Sequence, residues 1–227
     1  MQRWTMRNGK SGDLGKMKID QNEVADQFIG WMGIYGKMTP IKVFDYVIRG
    51  FMLYDPSFGS FDLPFSQRTP DKVIAALRDM RLRTGIKNLR DTDDLARVGP
   101  ACLKIEKVST PSEMAEIVHG FSGQWGTVTA WKVFAFLKPE RVPVLDRIVV
   151  KVYSKFGGKK EPNKKDFSFT AEALMVDFHG GWCDIASEIH SNLDSKYQER
   201  LTPLRIFDII LWTYGKGMDS SGRGIVT

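Results

Sequence analysis

Four Thr-Pro pairs constrain the fold of this chain more than any other feature of its sequence. They are Thr39-Pro40, Thr69-Pro70, Thr110-Pro111 and Thr202-Pro203. In each pair, a hydroxyl that can cap a helix precedes a proline, which suits the first helical position because it lacks an N–H group. After each pair, apolar residues recur mainly at spacings of three and four, and strict alternation is scarce. We therefore predict an all-α fold.

Two of the segments that follow these pairs are similar to each other. TPIKVFDYVI begins at Thr39, and TPLRIFDIIL begins at Thr202. An internal duplication explains the likeness, and so does the independent occurrence of two capped amphipathic helices with a basic residue three positions before an aspartate. The second explanation is favoured because nothing else in the chain recurs at that spacing.

Composition limits the class of protein. The 227 residues are 42% hydrophobic and 11% aromatic, as in a folded globular protein, and the net charge of +6 is compatible with a polyanionic partner. Cys102 and Cys183 are the two cysteines, so neither a disulfide framework nor a four-thiolate cluster can form. No apolar run has the length of a signal peptide or a membrane span, so we expect no membrane association.

We expect one domain. Residues 1 to 20 are rich in glycine and lysine and are predicted to form a flexible basic tail. Residues 21 to 227 are predicted to form a single helical domain with two lobes, because no linker is long enough to separate independent domains.

Residues 123 to 146 combine a glycine-bounded turn, an apolar helix and an extended return. The helix from Thr127 to Leu137 should climb roughly 16 Å, at ~1.5 Å per residue. The return from Lys138 to Leu145 can cover at most about 26 Å, at ~3.3 Å per residue. This reach is long enough to bring Asp146 back beside the turn.

The turn itself is a candidate phosphate site. Gly123 and Gly126 allow a positive φ and the close approach of a partner. The helix that begins at Thr127 presents unpaired N–H groups and the positive end of its dipole, which together attract a phosphate. Thr127 and Thr129 can add hydroxyl donors. An ordinary corner between two helices explains the same residues.

Asp146 is the candidate catalytic group. Pro143 favours an extended VPVL stretch, and Asp146 then precedes RIVVKVYSKF, an amphipathic helix whose N-cap it is predicted to be. A capping carboxylate is held rigidly, and backbone N–H groups stabilise its charge. Such a group can stabilise an oxocarbenium-like sugar cation or activate water. The capping and catalytic roles do not exclude each other.

The stretch GQWGTVTA…VPVLD resembles the helix–hairpin–helix DNA glycosylases, whose signature is a Gly-rich hairpin, a helix and a V/I-P-x-D sequence. Gly126 to Ala130 match the exit of the hairpin, and Asp146 lies 18 residues after Val128, the spacing of that family. PVLD is similar to the adenine mismatch glycosylase branch, and KPERVPV to the 8-oxoguanine glycosylase branch. The first glycine of the motif is displaced by one inserted residue, and outside the central segment only the all-helical pattern agrees.

The resemblance implies two helical lobes around a helix–hairpin–helix core at residues 112 to 157. It implies an enzyme that hydrolyses the N-glycosidic bond of a damaged, mispaired or modified base flipped out of DNA, with Asp146 as the catalytic carboxylate and water as the nucleophile. Bifunctional members carry a lysine where this chain has Val128, so a lyase that acts from that position is excluded. The two cysteines are too few for the iron–sulfur cluster of some members.

DNA is the implied partner of a monomeric, cytoplasmic protein associated with the nucleoid. No cofactor is implied, apart from a structural monovalent cation that the hairpin carbonyls could hold. The expected DNA-binding residues are Gly123, Gln124, Trp125, Gly126, Thr127, Val128, Thr129 and Arg147. We expect Trp125 at the exposed tip of the hairpin, where it could pack against a sugar or wedge beside an extruded base.

Lys132 is a second catalytic candidate. It lies one helical turn after Val128 and is the only charged residue inside an otherwise apolar helix. A desolvated lysine has a lowered pKa and can act as a nucleophile or pair with Asp146. Alternatively, its stem packs on the core while its amine reaches solvent.

The pocket for the base is assigned to Trp31, Asp208 and Trp212. The three histidines have no metal-binding spacing, so no metal site is expected. A non-catalytic helix–hairpin–helix module that binds DNA or a protein remains the main alternative, followed by a helical enzyme that acts on free nucleosides.

Overall fold

Helices account for the regular structure of this chain, as predicted. The computed structural model describes residues 18–54, 63–79, 92–156 and 166–219. These ranges contain ten helices of nine or more residues, two four-residue helices, a 3₁₀ turn and a π-helical turn, and no strand among them. The all-α fold class is therefore confirmed.

The helices follow one another in this order. The first five are α1 (Gln21–Met32), α2 (Pro40–Tyr54), α3 (Pro70–Asp79), α4 (Thr92–Lys107) and α5 (Pro111–His119). They are followed by α6 (Ser122–Trp125), α7 (Thr127–Leu137), α8 (Arg147–Phe156) and α9 (Asp166–Asp177). A π-helical turn (Phe178–Trp182) leads into α10 (Cys183–Ser191), α11 (Ser195–Gln198) and α12 (Pro203–Asp219), and a 3₁₀ turn (Phe65–Gln67) precedes α3.

Each Thr-Pro pair begins a helix, since α2, α3, α5 and α12 all start at the proline. The Thr110 hydroxyl accepts the Glu113 N–H at 3.2 Å, and the Glu113 carboxylate accepts the Thr110 N–H at 3.1 Å, which completes a capping box. The Thr202 hydroxyl accepts the Arg205 N–H at 3.1 Å and donates to the Pro139 carbonyl at 2.9 Å. The cap of α12 therefore also holds the segment that follows α7.

The first two described helices pack against the last ones. Helix α2 packs against α1, α10 and α12, and α12 also packs against α8 and α10. A second group of contacts joins α3 to α4 and α7, and α5 to α4, α6 and α7. Helix α9 contacts both α5 and α8, so it connects the two groups. The segment between α7 and α8, which ends at Asp146, passes from the second group to the first.

The two similar segments, in α2 and α12, are neighbours in space. Phe44 and Phe207 occupy matching positions in them, and both rings contact Trp182, with centroids 5.1 Å and 4.8 Å away. Trp182 is buried. The shared TPxxxFD pattern thus supplies two aromatic rings that contact the same indole.

The end of the predicted flexible tail is fixed. Ile19 is fully buried, its N–H donates to Asp177 Oδ2 at 3.3 Å, and its carbonyl accepts the Trp182 Nε1–H at 3.1 Å. These bonds join the residues before α1 to the end of α9 and to the π-helical turn. Residues 1 to 17 lie outside the described part of the chain.

Gly215 sets the distance between α12 and α8. A Cβ atom at this position would overlap the Ile148 Cγ2 and lie 2.9 Å from the Val152 Cγ2, closer than carbon atoms pack. The Ile148 carbonyl would be 3.3 Å away. Since α8 begins directly after Asp146, this contact also determines where the candidate catalytic residue lies.

We predict that Gly215→Ala lowers the free energy of unfolding by about 1–3 kcal/mol, because the added methyl group overpacks the α8–α12 contact. Gly50→Ala in α2 is the matched control, since a Cβ there would meet no atom within 4 Å. It should raise the free energy of unfolding by about 0.5–1 kcal/mol, the usual gain when alanine replaces a helical glycine. Urea unfolding measures both. Equal effects of the two substitutions would contradict the close contact.

Candidate active site

The candidate site begins with the segment that returns from α7. The chain turns after Leu137, where the N–H groups of Arg141 and Val142 donate to the Lys138 carbonyl at 3.0 Å and 2.8 Å. Beyond this turn, Val144 and Leu145 are buried in an extended stretch. The predicted extended return is therefore present, and its apolar side chains hold it in the core.

Asp146 caps α8, as predicted. Its Oδ1 accepts the N–H groups of Ile148 at 2.9 Å and Val149 at 3.1 Å. The residue retains 9% of its accessible surface, so it lies at the boundary of the interior. The two N–H donors and the positive end of the α8 dipole stabilise a negative charge at this position.

Lys132 lies on α7, half-buried and within electrostatic reach of Asp146. Loss of solvent lowers the pKa of its amine, the Asp146 carboxylate raises it by a smaller amount, and Arg205 lowers it further. Among the described residues, the two side chains form no direct ion pair. Burial is therefore the largest influence on the pKa of Lys132, and the Asp146 carboxylate opposes it.

Asp208 has a different place from the one predicted. We expected it in the wall of a base pocket, but it is 1% exposed, and its Oδ2 accepts the Val144 N–H at 2.8 Å. Burial raises the pKa of its carboxyl to about 8, although Arg205 and the Val144 N–H both lower it, and Asp146 raises it further. Asp208 is thus an interior acid behind the extended segment. Asp208 lies 64 positions after Val144 in the sequence, so no local pattern predicts their contact.

Arg205 also belongs to the candidate site, and it was not among the residues predicted for it. It influences both Lys132 and Asp208, and its guanidinium lies 5.6 Å from the centroid of the Phe136 ring on α7. The one available signal was its position three residues before Asp208, which suggested only a helical pair. We call Lys132, Asp146, Arg205 and Asp208 the charge cluster. It joins α7, the extended segment and α12.

The turn before α7 differs in detail from the predicted hairpin. Residues 122 to 125 form the short helix α6, and Gly123 lies inside it without a positive φ. Gly126 has the expected positive φ of 79°, and it begins α7 without a side-chain cap. Gly126 is exposed, while Thr127 and Val128 are half-buried. The first N–H groups of α7 therefore remain a candidate anion site.

Trp125 is buried, so its predicted exposure at the hairpin tip is wrong. None of its surface is accessible, as is also true of Trp131. Its ring contacts Phe121 and Phe134, with centroids 4.8 Å and 6.4 Å away. The physical reason is that α6 is helical, so its last side chain packs onto α7 instead of extending into solvent.

The other residues that we expected to contact DNA differ in how far they are exposed. Thr129 is 5% exposed, so its hydroxyl does not face solvent as expected. The backbone of Gln124 lies in α6, while its side chain lies outside the described residues. Arg147, in contrast, is exposed in the first turn of α8, next to Asp146.

Trp31 and Trp212 are half-buried among the terminal helices. Trp31 packs against Phe28 and Tyr214, with centroids 5.6 Å and 5.4 Å away. Trp212 packs edge-to-face against Phe51 at 5.8 Å. A small surface depression lies elsewhere, lined by Phe136, Arg68 and three apolar side chains. It does not include Asp146, so we do not assign a base to it.

The described residues contain no group of three or more His, Cys, Asp or Glu side chains that could hold a metal ion. The carbonyls of the turn before α7, where we expected a monovalent cation, take part in backbone hydrogen bonds. Those of Phe121, Ser122 and Gly126 accept the N–H groups of Trp125, Gly126 and Ala130. No helix in the described ranges is long and apolar enough to cross a membrane.

Comparison with known proteins identifies one family. The model of a family of unknown function, DUF6308, matches residues 67–215, which is more than half of the chain. This range includes α7, the extended segment, Asp146 and the charge cluster. Neither the curated proteins nor the solved structures contain a match to this chain.

We predict that two substitutions move the pKa of Lys132 in opposite directions. Asp146→Asn should lower it further, because the carboxylate that favours the ammonium form is removed. Arg205→Gln should raise it, because a neighbouring positive charge is removed. An NMR titration of the lysine ¹³Cε resonance measures both, with Asp20→Asn as a control on a remote helix cap. Shifts of the same sign in the two variants would contradict the cluster.

Proposed function

This chain belongs to the DUF6308 family, and we propose that it is a DNA N-glycosylase. The proposed enzyme hydrolyses the bond between a deoxyribose and a damaged, mispaired or modified base that has been flipped out of DNA. Its lobes would flank the groove between the hairpin and Asp146, in an arrangement like that of the helix–hairpin–helix glycosylases. The resemblance of residues 123 to 146 to that family supports the proposal.

The observation that carries the proposal is the fixed position of Asp146. Its Oδ1 is held by two N–H groups of α8, and the extended segment delivers it next to α7, the helix that follows the hairpin. A carboxylate that is held before the reaction needs no reorganisation when positive charge appears nearby. This is the property that a glycosylase requires of its acid.

The chemistry assigned to Asp146 has two parts. As the bond between the base and C1′ breaks, positive charge develops on the sugar, and the carboxylate stabilises it. The electron pair of the broken bond leaves with the base. Water then forms the new bond to C1′ and loses a proton to a general base, for which Asp146 is the candidate, and that proton neutralises the departed base. Since Oδ1 makes the capping bonds, we assign both parts to Oδ2.

Lys132 is the second catalytic candidate. Its lowered pKa increases the share of neutral amine, the form in which a lysine can attack a sugar carbon. In the ammonium form, it would instead balance the charge of Asp146. Borohydride trapping separates the two roles, because only an amine that has formed an imine with the sugar becomes covalently attached to DNA.

The DNA backbone would be held at two helix starts. At α7, the exposed Gly126 and the absence of a side-chain cap leave N–H groups for a phosphate. At α8, exposed Arg147 offers a charged donor beside Asp146. The net charge of +6 favours approach to a polyanion.

We predict that Asp146→Asn lowers the rate of base release by about 10²–10⁴-fold, the usual contribution of a general acid or base. Release is measured on duplex oligonucleotides that carry a panel of damaged, mispaired and modified bases, with alkali to cut the abasic sites. Asparagine caps helices as well as aspartate does, so the fold should be retained.

Asp20→Asn is the matched control for this experiment. The Asp20 Oδ1 accepts the N–H groups of Asn22 and Glu23 at 2.7 Å and 3.1 Å, so it caps α1 as Asp146 caps α8. Its substitution should leave base release unchanged. Equal rates for the wild type and Asp146→Asn would contradict the catalytic role. DNA binding without any base release by the wild type would instead favour the non-catalytic module.

We also predict that DNA binding weakens as salt increases and that Arg147→Gln reduces this dependence. If Arg147 contacts one phosphate, the slope of log K against log salt should fall in magnitude by about 0.9. Fluorescence anisotropy at several salt concentrations measures the slope. Lys42→Gln, which removes an exposed charge from the first turn of α2, should leave it unchanged. Equal changes in both variants would contradict a specific contact at Arg147.

A further inference from the structure

Asp208 is an unusual residue for the interior of a helix. It lies in the middle of α12 and is 1% exposed, yet it carries a carboxyl group. Its Oδ2 accepts the Val144 N–H at 2.8 Å, while its Oδ1 is buried without a hydrogen-bond partner among the described residues. An apolar side chain would avoid this cost, so the bond to Val144 is the contact that accounts for an acid here.

The hydrogen bond between Asp208 and Val144 lies where the backbone makes few other hydrogen bonds. Pro143 has no N–H group to donate, and the turn bonds to the Lys138 carbonyl end at Val142. Val144 lies two residues before Asp146, so its position largely determines where the capping carboxylate begins. The bond to Asp208 thus connects the last stretch before the site to the middle of α12.

We propose that Asp208 is a positioning residue of the Asp146 site, which holds the extended segment in register with α8 through the Val144 N–H. This role rests on the proposed function of Asp146, and it deepens that function by making the site responsive to pH. Asp208 itself does not touch the substrate in this proposal.

The charged and titratable groups around Asp208 determine how the Asp146 site responds to pH. Arg205 faces it from the same helix, Asp146 from the extended segment and Tyr153 from α8. Burial, the largest influence, raises the pKa of the Asp208 carboxyl to about 8, so the group is protonated at neutral pH. Above that pH, a second negative charge forms beside Asp146. Lys132 enters indirectly through Asp146 and Arg205, and Asp177 enters through Tyr153.

The stability of the protein should follow the same titration. The folded state holds the Asp208 proton more tightly than the unfolded state, in which the carboxyl has its usual pKa of 3.8. The stabilisation is therefore complete below pH 4 and is lost as the pH rises towards 8. Asp208→Asn should remove this loss, because the amide oxygen can still accept the Val144 N–H and does not ionise.

The decisive measurement is the ¹H–¹⁵N spectrum between pH 6 and pH 9.5. In the wild type, we expect the Val144 amide resonance to move with a midpoint near 8, and those of Ile148 and Val149, which bond to Asp146, to move with it. In Asp208→Asn, all three should stay near their low-pH positions. Asp45→Asn, at the matching position of α2, is the control and should leave the wild-type titration unchanged.

A variant without an acceptor completes the test. In Asp208→Leu, the Val144, Ile148 and Val149 resonances should all shift at every pH, and base release should fall on the order of 100-fold, as expected for a misplaced catalytic group. Asp208→Asn should restore both the amide resonances and base release.

A flat Val144 resonance in the wild type, or unchanged Ile148 and Val149 resonances in Asp208→Leu, would overturn the positioning role. Absence of base release from the wild type would refute the glycosylase but leave the spectra to decide the role of Asp208.

Discussion

A stretch of backbone that is neither helix nor strand runs from Lys138 to Asp146, and its buried polar groups must find partners. Buried N–H and C=O groups that lack a hydrogen bond each cost about 1–3 kcal/mol, so these partners are a condition of folding. The Thr202 hydroxyl binds the Pro139 carbonyl, and the Asp208 carboxyl binds the Val144 N–H. The segment also stabilises the end of α4, because the Arg141 guanidinium donates to the carbonyls of Ile105 and Val108. One irregular segment therefore fixes α4, α8 and α12 relative to each other.

Burial changes the pKa values of the ionisable groups in the charge cluster. Burial is the largest influence on both Lys132 and Asp208, and it favours the neutral form of each. The lysine becomes a weaker base and the acid becomes a weaker acid. Asp146 has two N–H donors and a helix terminus that stabilise a negative charge, and the Arg205 guanidinium lies over the Phe136 ring. This separation of roles depends on the helices that surround the cluster.

Local signals in the sequence predicted the helices around the site to the residue. The apolar helix Thr127–Leu137 and the helix Arg147–Phe156 have their predicted bounds, because a glycine and an aspartate mark their starts within the sequence itself. Trp125 could not be placed in the same way, because its burial depends on how α6 packs against α7. Asp208 was singled out by its position on α12, but its partner Val144 is remote in sequence and is a backbone group. Contacts of this kind leave no pattern in a single sequence.

The anchoring of Ile19 has a consequence for shortened versions of the protein. Both backbone polar groups of Ile19 are bound. The N–H is bound by a buried carboxyl whose pKa burial raises to about 6, and the carbonyl is bound by an indole. Truncation before Lys18 leaves both bonds in place. Truncation after Asp20 keeps every helix that the structure describes, but it removes the Ile19 partners of the Asp177 carboxyl and the Trp182 indole. The Asp177 carboxyl would then retain only the Tyr153 hydroxyl, at 3.0 Å. The minimal folding unit therefore starts ahead of its first helix.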